Sequence, residues 1–179
     1  YNTLNSVGWM IKAGRNEEAQ KMLTALGHQL RSAFREEPMA SIAEEMELLE
    51  HYIYIQKIRY AERVDFILQA EDEVMDTRVP RLSFQPLVEN AINYGVEYSS
   101  EMCTVKVHAY RQGDRVRIEV SDNGVGMDPE RLRKVRNFTM QPRQHGIGLK
   151  NINQRLELIF GSYYQFLIDS QEGVGTTII

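Results

Sequence analysis

The sequence predicts an α+β fold, a two-layer α/β sandwich in which a mixed, mainly antiparallel sheet carries helices on one face, preceded by a helical segment. Apolar residues repeat at helical spacing through residues 1–62. After Arg63 the pattern changes to short alternating runs, two of which are joined by a tight turn. Helical stretches lie between the strands, which favours a covered sheet. We therefore expect two domains, residues 1–62 and residues 63–179.

The first domain divides into three predicted helices. The first runs to about Lys12, and the second is capped by Asn16 and ends near Phe34. The third begins with a capping box formed by Ser41 and Glu44. Its apolar face consists of Ile42, Met46, Leu49, Ile53 and Tyr60. These faces predict either a core within this chain or a bundle shared with a second chain, and the sequence does not separate the two.

The second domain mixes strands with helices. The run "VDFILQA" predicts a strand, and "LSFQPLVENAINYGV" predicts a helix with Pro86 in its first turn, where a missing N–H costs little. The run "TVKVHAYRQGDRVRIEVSDN" is typical of a hairpin that turns at Gly113. A short helix is expected from Pro129, and a longer one over "GIGLKNINQRLELIF". The runs "YQFLIDS" and "TTII" predict a closing strand pair.

Composition and charge exclude several classes of protein. A net charge of −4 argues against nucleic-acid binding driven by phosphate attraction. The single cysteine, Cys103, cannot form an intrachain disulfide, which fits a reducing compartment. No apolar run approaches the roughly 18 residues of a membrane-spanning helix.

Three G-x-G triplets lie in the second domain. None extends to the G-x-G-x-x-G or G-x-x-x-x-G-K-[ST] nucleotide signatures, and each alone is more often a turn than a ligand site. The triplets are Gly124-Val-Gly126, Gly146-Ile-Gly148 and Gly173-Val-Gly175.

The surroundings of two triplets favour a nucleotide site. Asp122 ends a strand just before Gly124, and a helix start follows instead of a returning strand, so a flat ligand can approach the backbone. A carboxylate there can accept a hydrogen bond from an exocyclic amine such as that of adenine. Gly146 and Gly148 open a helix whose N–H groups suit an anion, and Lys150 adds charge. The alternative is a flexible loop before an amphipathic helix.

The predicted helix around Pro86 carries Glu89, Asn90 and Asn93 beside apolar residues. The side-chain carbonyl of Asn90 is a hard oxygen ligand suited to Mg²⁺ that bridges phosphates. Tyr94 can stack on a base, or it can simply pack in the interior.

The motifs follow one another in a recognisable order: an asparagine helix, "DNGVGM", "GIGL" and "GVGTT". This order resembles the ATP-binding fold shared by gyrase, heat-shock chaperones, MutL and histidine kinases. The chain is most similar to the LytS/YesM-like group of bacterial sensor histidine kinases. The resemblance covers nearly the whole chain through "YNTLNSVGWM", "EEMELLEHYIYIQKIRY", "PLVENAINYG", "GIGLKNINQRLELIFG" and "GVGTT".

The resemblance implies that residues 63–179 are an ATP-binding catalytic domain that uses ATP and Mg²⁺. It places Mg²⁺ on Asn90 and adenine on Asp122, and it makes Glu89 and Asn90 the catalytic residues. The other implied nucleotide-binding residues are Asn93, Tyr94, Gly124, Gly126, Gly146, Gly148, Leu149, Lys150 and Thr176. Asn93 departs from the family, which usually has a basic residue there, and Tyr94 replaces a histidine.

Phosphoryl transfer is favoured over hydrolysis. ATPases of this fold place a glutamate one helical turn before the metal asparagine, and Pro86 stands there in this chain. Glu89 is adjacent to Asn90 and points about 100° away around the helix, so it is better placed to orient a histidine acceptor than to activate water. The alternatives are a non-catalytic nucleotide-binding or dimerisation module and an ATP-hydrolysing relative.

None of the four histidines of the chain is a convincing phosphate acceptor. By resemblance the acceptor lies three residues before Tyr1, so we expect this chain to bind Mg-ATP without phosphorylating itself. The resemblance further implies homodimerisation through residues 1–62 and phosphate transfer to a response-regulator aspartate. It also implies that the chain is the cytoplasmic portion of a bacterial membrane protein, anchored only through absent N-terminal regions. The basic segment 129–144 is expected to form a mobile lid over the triphosphate.

Overall fold

The computed structural model describes residues 1–96, 98–99, 101–139 and 147–179. Within these ranges the helices are α1 (Asn2–Lys12), α2 (Asn16–Ala33), α3 (Ile42–Tyr60), α4 (Phe84–Ala91), α5 (Pro129–Arg136) and α6 (Ile147–Phe160). The strands are β1 (Met39–Ser41), β2 (Val64–Ala70), β3 (Arg78–Pro80), β4 (Cys103–Gln112), β5 (Arg115–Asp122), β6 (Ile168–Gln171) and β7 (Gly175–Ile178). None of the helices formed by the described residues has the length and apolar composition needed to cross a membrane.

Five strands form one sheet in the order β2-β4-β5-β7-β6. β2 and β4 are parallel, and every other neighbouring pair is antiparallel. The inward face of β4 is buried through Cys103, Val105, Val107 and Ala109, and it joins a core that includes residues of α4, α5 and α6. The intervening residues of β4 are half-buried or exposed. The predicted mixed sandwich, with helices on one face, is therefore confirmed.

The three predicted N-terminal helices are present, and the capping box of α3 is confirmed. The Ser41 hydroxyl accepts a hydrogen bond from the Glu44 N–H at 3.1 Å, and Glu44 Oε2 accepts one from the Ser41 N–H at 2.8 Å. The prediction that Asn16 caps α2 is wrong, because Arg15 holds the cap position and Asn16 is already helical. The turn after α1 accounts for the difference. The Arg15 N–H donates a hydrogen bond to the Met10 carbonyl at 2.9 Å, and α2 begins at the next residue, Asn16.

Two short strands were not predicted. β1 pairs with β3 in an antiparallel ribbon of three residues each. No local turn joins them, so the sequence carries no hairpin signal. The predicted strand "YQFLIDS" is also shorter than expected, because β6 begins only at Ile168. Tyr164 instead donates a hydrogen bond to Asn153 Oδ1 at 3.1 Å, and Phe166 packs near Phe138.

The long helix α3 contributes to two cores. Ile55 joins a small cluster built from α1 and α2, namely Val7, Met10, Ala19, Met22 and Ala25. The predicted apolar face of α3 lies in the large core of the sheet instead. α3 therefore connects the helical hairpin to the sheet. The division at residues 62 and 63 stays a prediction.

Candidate nucleotide-binding site

The centre of the site is a contact between two backbone segments. α4 continues into a wide helical turn, Ile92–Val96, which brings Gly95 against the end of β5. A Cβ atom placed on Gly124 would lie 2.1 Å from the Gly95 Cα, and one placed on Gly95 would lie 2.7 Å from Asp122 Oδ1. A side chain on Gly124 would therefore overlap the backbone of Gly95, and one on Gly95 would force the Asp122 carboxylate to move. The predicted Asp122–Gly124 loop and the asparagine helix meet here.

Gly95 was missed as a site residue. A glycine within a helical pattern costs about 1 kcal/mol relative to alanine, so it usually marks a close packing requirement. That signal was present directly after Tyr94 in the sequence. The partner that Gly95 contacts lies in a distant strand, and the sequence does not name it.

Asp122 lies half-buried at the end of β5. Its Oδ1 accepts a hydrogen bond from the Gly124 N–H at 3.0 Å, and its backbone pairs with Thr176 of β7. Burial raises the pKa of Asp122 from its usual 3.8 to about 6, although bonds from the Gly124 and Thr176 N–H groups lower it. The result is a partly desolvated carboxylate held in one orientation, as a hydrogen-bond acceptor for a ligand requires.

The first and third glycine triplets form one wall. A Cβ atom on Gly126 would lie 1.9 Å from the Gln171 carbonyl oxygen, and one on Gly175 would lie 2.0 Å from the Asp122 carbonyl oxygen. The Gly173 N–H donates to the Val125 carbonyl at 2.8 Å. The structure thus brings the two loops together beside Asp122.

Thr176 is buried behind this wall, with its hydroxyl 2.9 Å from the Ser170 hydroxyl. The Ser170 hydroxyl is also 2.9 Å from the Gly175 carbonyl oxygen. Thr176 therefore supports the loop that contacts Asp122.

The polar side chains predicted on the asparagine helix differ in burial. Asn90 is only 9% exposed. Glu89 is half-buried, and its Oε1 accepts a hydrogen bond from Gln85 Nε2 at 2.8 Å. Asn93 lies in the wide turn and is half-buried. The amide oxygen of Asn90 is of the hard type that Mg²⁺ prefers, so the chemistry of this residue fits the ion, and its role as a ligand stays a prediction.

The first turn of α6 lies next to the first turn of α4. A Cβ atom on Gly148 would be 3.6 Å from the Pro86 Cβ, which is ordinary contact. Leu149 is buried in the large core, so its side chain packs rather than faces a ligand. Lys150 is exposed. The predicted residue Gly146 lies outside the described residues.

Arg131 belongs to the basic segment predicted as a lid, but its contact with Tyr94 was not predicted. Its guanidinium carbon lies 4.7 Å from the centroid of the Tyr94 ring, a cation–π contact between α5 and the wide turn. Burial raises the pKa of Tyr94, and Arg131 partly offsets this. Residues 129–136 of the predicted lid are a helix whose Leu132 and Val135 are buried in the core. Residues 140–144 of that segment lie outside the described residues.

A buried carboxylate holds the start of α4. Glu45 of α3 is 2% exposed and accepts backbone hydrogen bonds from Leu82 at 2.7 Å, Ser83 at 2.9 Å and Phe84 at 3.2 Å. Burial raises the pKa of Glu45, while these three bonds and the charge of Arg81 lower it. Glu45 was not singled out by its sequence, because an acidic residue in the first turn of a helix is ordinary.

Two family profiles match the chain. The profile described as "Histidine kinase" matches residues 1–64. The profile described as "Histidine kinase-, DNA gyrase B-, and HSP90-like ATPase" matches residues 75–179, and so includes every predicted nucleotide-binding residue.

Named relatives match along the whole chain. This chain is 38% identical over 180 residues to the sensor histidine kinase YesM of Bacillus subtilis, and the match covers 100% of this chain and 30% of that protein. It is 30% identical over 181 residues to the sensor protein LytS of Bacillus anthracis, covering 99% of this chain and 31% of that protein. The chain thus spans less than a third of the length of these relatives.

Solved structures share the fold. The catalytic domain of histidine kinase ThkA is 22% identical with a TM-score of 0.56, covering 78% of this chain and 90% of that one. The histidine kinase domain of the blue-light activated kinase from Erythrobacter litoralis is 15% identical with a TM-score of 0.56, covering 94% of this chain and 80% of that one.

Proposed function

The chain belongs to the histidine kinase-, DNA gyrase B- and HSP90-like ATPase family, as a histidine kinase, and on that premise we propose that it is the core of a two-component sensor kinase. In this proposal it binds Mg-ATP and donates the γ-phosphate to a histidine, from which it passes to a response-regulator aspartate. One observation carries the proposal: the backbone contact between Gly95 and Gly124, which lies beside the half-buried carboxylate of Asp122.

At the adenine end, Asp122 accepts the hydrogen bond of the exocyclic amine. Gly124 and Gly126 have no side chains, which lets neighbouring backbone pack closely around Asp122. The Gly124 N–H already bonds to the carboxylate, which keeps its orientation fixed before the ligand arrives. Such preorganisation reduces the entropy lost on binding.

At the phosphate end, Asn90 would hold Mg²⁺ through its side-chain oxygen. The ion, when bound, neutralises charge on the β- and γ-phosphates. Backbone N–H groups in the first turn of α6 favour the phosphates through the helix dipole, with Lys150 adding a positive charge nearby. Asn93 supplies an amide where relatives usually have a basic side chain, so this contact to phosphate carries no charge.

Transfer to histidine is supported over hydrolysis by two residues of α4. Pro86 occupies the position from which related ATPases activate water, and it cannot accept a proton. Glu89 already accepts a bond from Gln85, which orients its carboxylate along α4. We propose that Glu89 orients the acceptor imidazole, and that the acceptor is none of the four histidines of this chain.

Homodimerisation is proposed through α1 and α2. Their outward surface exposes apolar side chains that the small core leaves uncovered: Leu4, Trp9, Ile11, Leu23, Leu30 and Phe34. We propose that a second chain covers these side chains, since interfaces between chains commonly bury exposed apolar surface. We further propose that the chain is the cytoplasmic portion of a bacterial membrane protein, as its resemblance to sensor histidine kinases implies.

Nucleotide binding is tested by titrating a fluorescent ATP analogue in the presence of Mg²⁺. We expect Asp122→Ala and Asn90→Ala each to weaken binding at least tenfold. Asp114→Ala, in the exposed turn between β4 and β5, is the matched control and should bind as the wild type does. Unchanged affinity in both site variants would refute the site.

Phosphotransfer separates the kinase from its two alternatives. A longer form of the chain that includes the residues before Tyr1 should acquire acid-labile label from γ-labelled ATP. The 179-residue chain alone should bind ATP without acquiring label. Binding without transfer in the longer form would support a non-catalytic module, and steady phosphate release from the chain alone would support a hydrolase.

A further inference from the structure

Three potential metal ligands meet on the surface between α2 and α3. His28 belongs to α2, and Glu47 and His51 belong to α3. Their ligand atoms all lie within 4.8 Å of one another. The rings of His28 and His51 are stacked, with centroids 4.1 Å apart and planes inclined by 24°. This cluster lies on the helical half of the chain and shares no residue with the nucleotide site.

The spacing of the ligands along α3 suits a metal ion. Glu47 and His51 are four residues apart, so one helical turn places them on the same face. The same i, i+4 spacing lets two side chains of one helix bind zinc in the H-E-x-x-H motif. His28 approaches from the facing helix and supplies a third ligand. The set is therefore built by the packing of α2 on α3 and not by one helix alone.

The donor chemistry selects the kind of ion. Two imidazoles with one carboxylate suit zinc and its neighbours in the first transition series, whereas Mg²⁺ prefers an all-oxygen set. Tetrahedral zinc with bonds of about 2.0–2.2 Å places neighbouring ligand atoms about 3.3–3.6 Å apart. The three groups need to close by at most about 1.5 Å from their separation of up to 4.8 Å. Glu47 is exposed and both histidines are half-buried, so rotamer changes permit this closure.

We propose that His28, Glu47 and His51 form a binding site for a divalent transition-metal ion of the zinc class. Three protein ligands leave the fourth tetrahedral position to water or to a donor from another molecule. The bound ion joins α2 to α3 and so fixes the helical hairpin on the helix that carries Glu45. Metal binding here does not depend on the nucleotide-site proposal, and either can fail alone.

The test is calorimetric titration of the untagged, EDTA-treated chain with Zn²⁺, together with its melting temperature. We expect one Zn²⁺ per chain and a rise in Tm that Mg²⁺ does not produce. His28→Ala and His51→Ala should each weaken the binding at least tenfold, and Glu47→Gln by a smaller factor. His108→Ala, on the open face of β4, is the control and should bind as the wild type does.

The visible absorption of bound Co²⁺ provides a second readout in the folded wild type, should a histidine variant fail to fold. We expect the intense bands of a tetrahedral site, and Zn²⁺ should abolish them by competition. Absence of stoichiometric Zn²⁺ binding, or equal affinity in the wild type and both histidine variants, would overturn the proposal. A weak octahedral Co²⁺ spectrum would overturn it as well.

Discussion

The N-terminal end of α4 is held by a side chain, whereas its C-terminal end is held by direct backbone contact. At the first end, the Glu45 carboxylate of α3 accepts three backbone N–H bonds. At the second, Gly95 touches Gly124 with no room for a Cβ atom. A carboxylate can be replaced by a near isostere, but a backbone contact tolerates no side chain. The first end therefore links the candidate site to the helical half, and the second lies within the candidate site.

The largest effect is expected from Gly124→Ala. Its Cβ would lie 2.1 Å from the Gly95 Cα, and backbone atoms cannot rotate away. We expect a loss of about 3 kcal/mol or more in the free energy of unfolding, with loss of ATP binding. Urea denaturation measures the first quantity and nucleotide titration the second.

Gly27→Ala is the matched control for this substitution. A Cβ on Gly27 of α2 meets nothing within 4 Å, so alanine should stabilise the helix by about 0.5–1 kcal/mol. Equal stability of the Gly124 variant and the wild type would contradict the backbone contact.

The next largest effect is expected at the other end of α4. Glu45→Ala leaves three N–H groups without their acceptor, which should cost about 2–4 kcal/mol of stability. Glu45→Gln keeps one acceptor oxygen but turns an amide N–H₂ toward a donor, so we expect a loss of about half as much. Chemical denaturation measures both, and Glu50→Gln, at an exposed position of α3, should change little. Unchanged stability of Glu45→Ala would show that the three bonds to Glu45 are not needed to hold the start of α4.

Asp122→Asn should stabilise the chain while abolishing ATP binding. Folding raises the pKa of Asp122 from 3.8 to about 6, so the charged form is disfavoured by about 2–3 kcal/mol in the native state. For a carboxyl whose pKa rises on folding, the stability is fully present below the unfolded pKa and is lost as the pH rises through the folded value.

The variant has no charge to bury, so its advantage over the wild type should grow between about pH 4 and pH 6 and then stay constant. Unfolding curves across this range measure it. If the difference in the free energy of unfolding between the variant and the wild type did not change with pH, the pKa of Asp122 would lie near its usual value.

The smallest effect is expected from Arg131→Ala, which removes the cation–π contact with Tyr94. We expect a loss of about 0.5–1 kcal/mol in stability, since α5 remains fixed through Leu132 and Val135. Arg133→Ala, at an exposed position of the same helix, should cost less. Equal losses in the two variants would show that the contact with Tyr94 contributes nothing.

Local signals made much of the fold and part of the site predictable. The alternating runs located the hairpin of β4 and β5, and Ser41 with Glu44 located the start of α3. Asp122 was placed at a ligand-facing strand end because a helix start followed it. Each of these inferences depends on neighbours within a few residues.

The rest depends on contacts between distant residues. Glu45 and Ser83 are 38 positions apart. Nothing near Glu45 distinguishes it from the adjacent Glu44, which completes the capping box with Ser41. Gly95 becomes necessary only when α4 packs on the end of β5. Arg131 meets Tyr94 only after α5 docks on the core. A sequence pattern reports which face of an element is apolar, but not which distant backbone lies against it.

The most direct test of the central claim is an amide NMR titration of the chain with Mg-ATP. We expect the largest shifts at Gly95, Gly124 and Thr176, around the junction of α4 with β5 and β7. Amides of α2 near His28 should stay unchanged. Shifts confined to other parts of the chain, or no shifts at saturating ATP, would contradict the assignment of this junction as the nucleotide site.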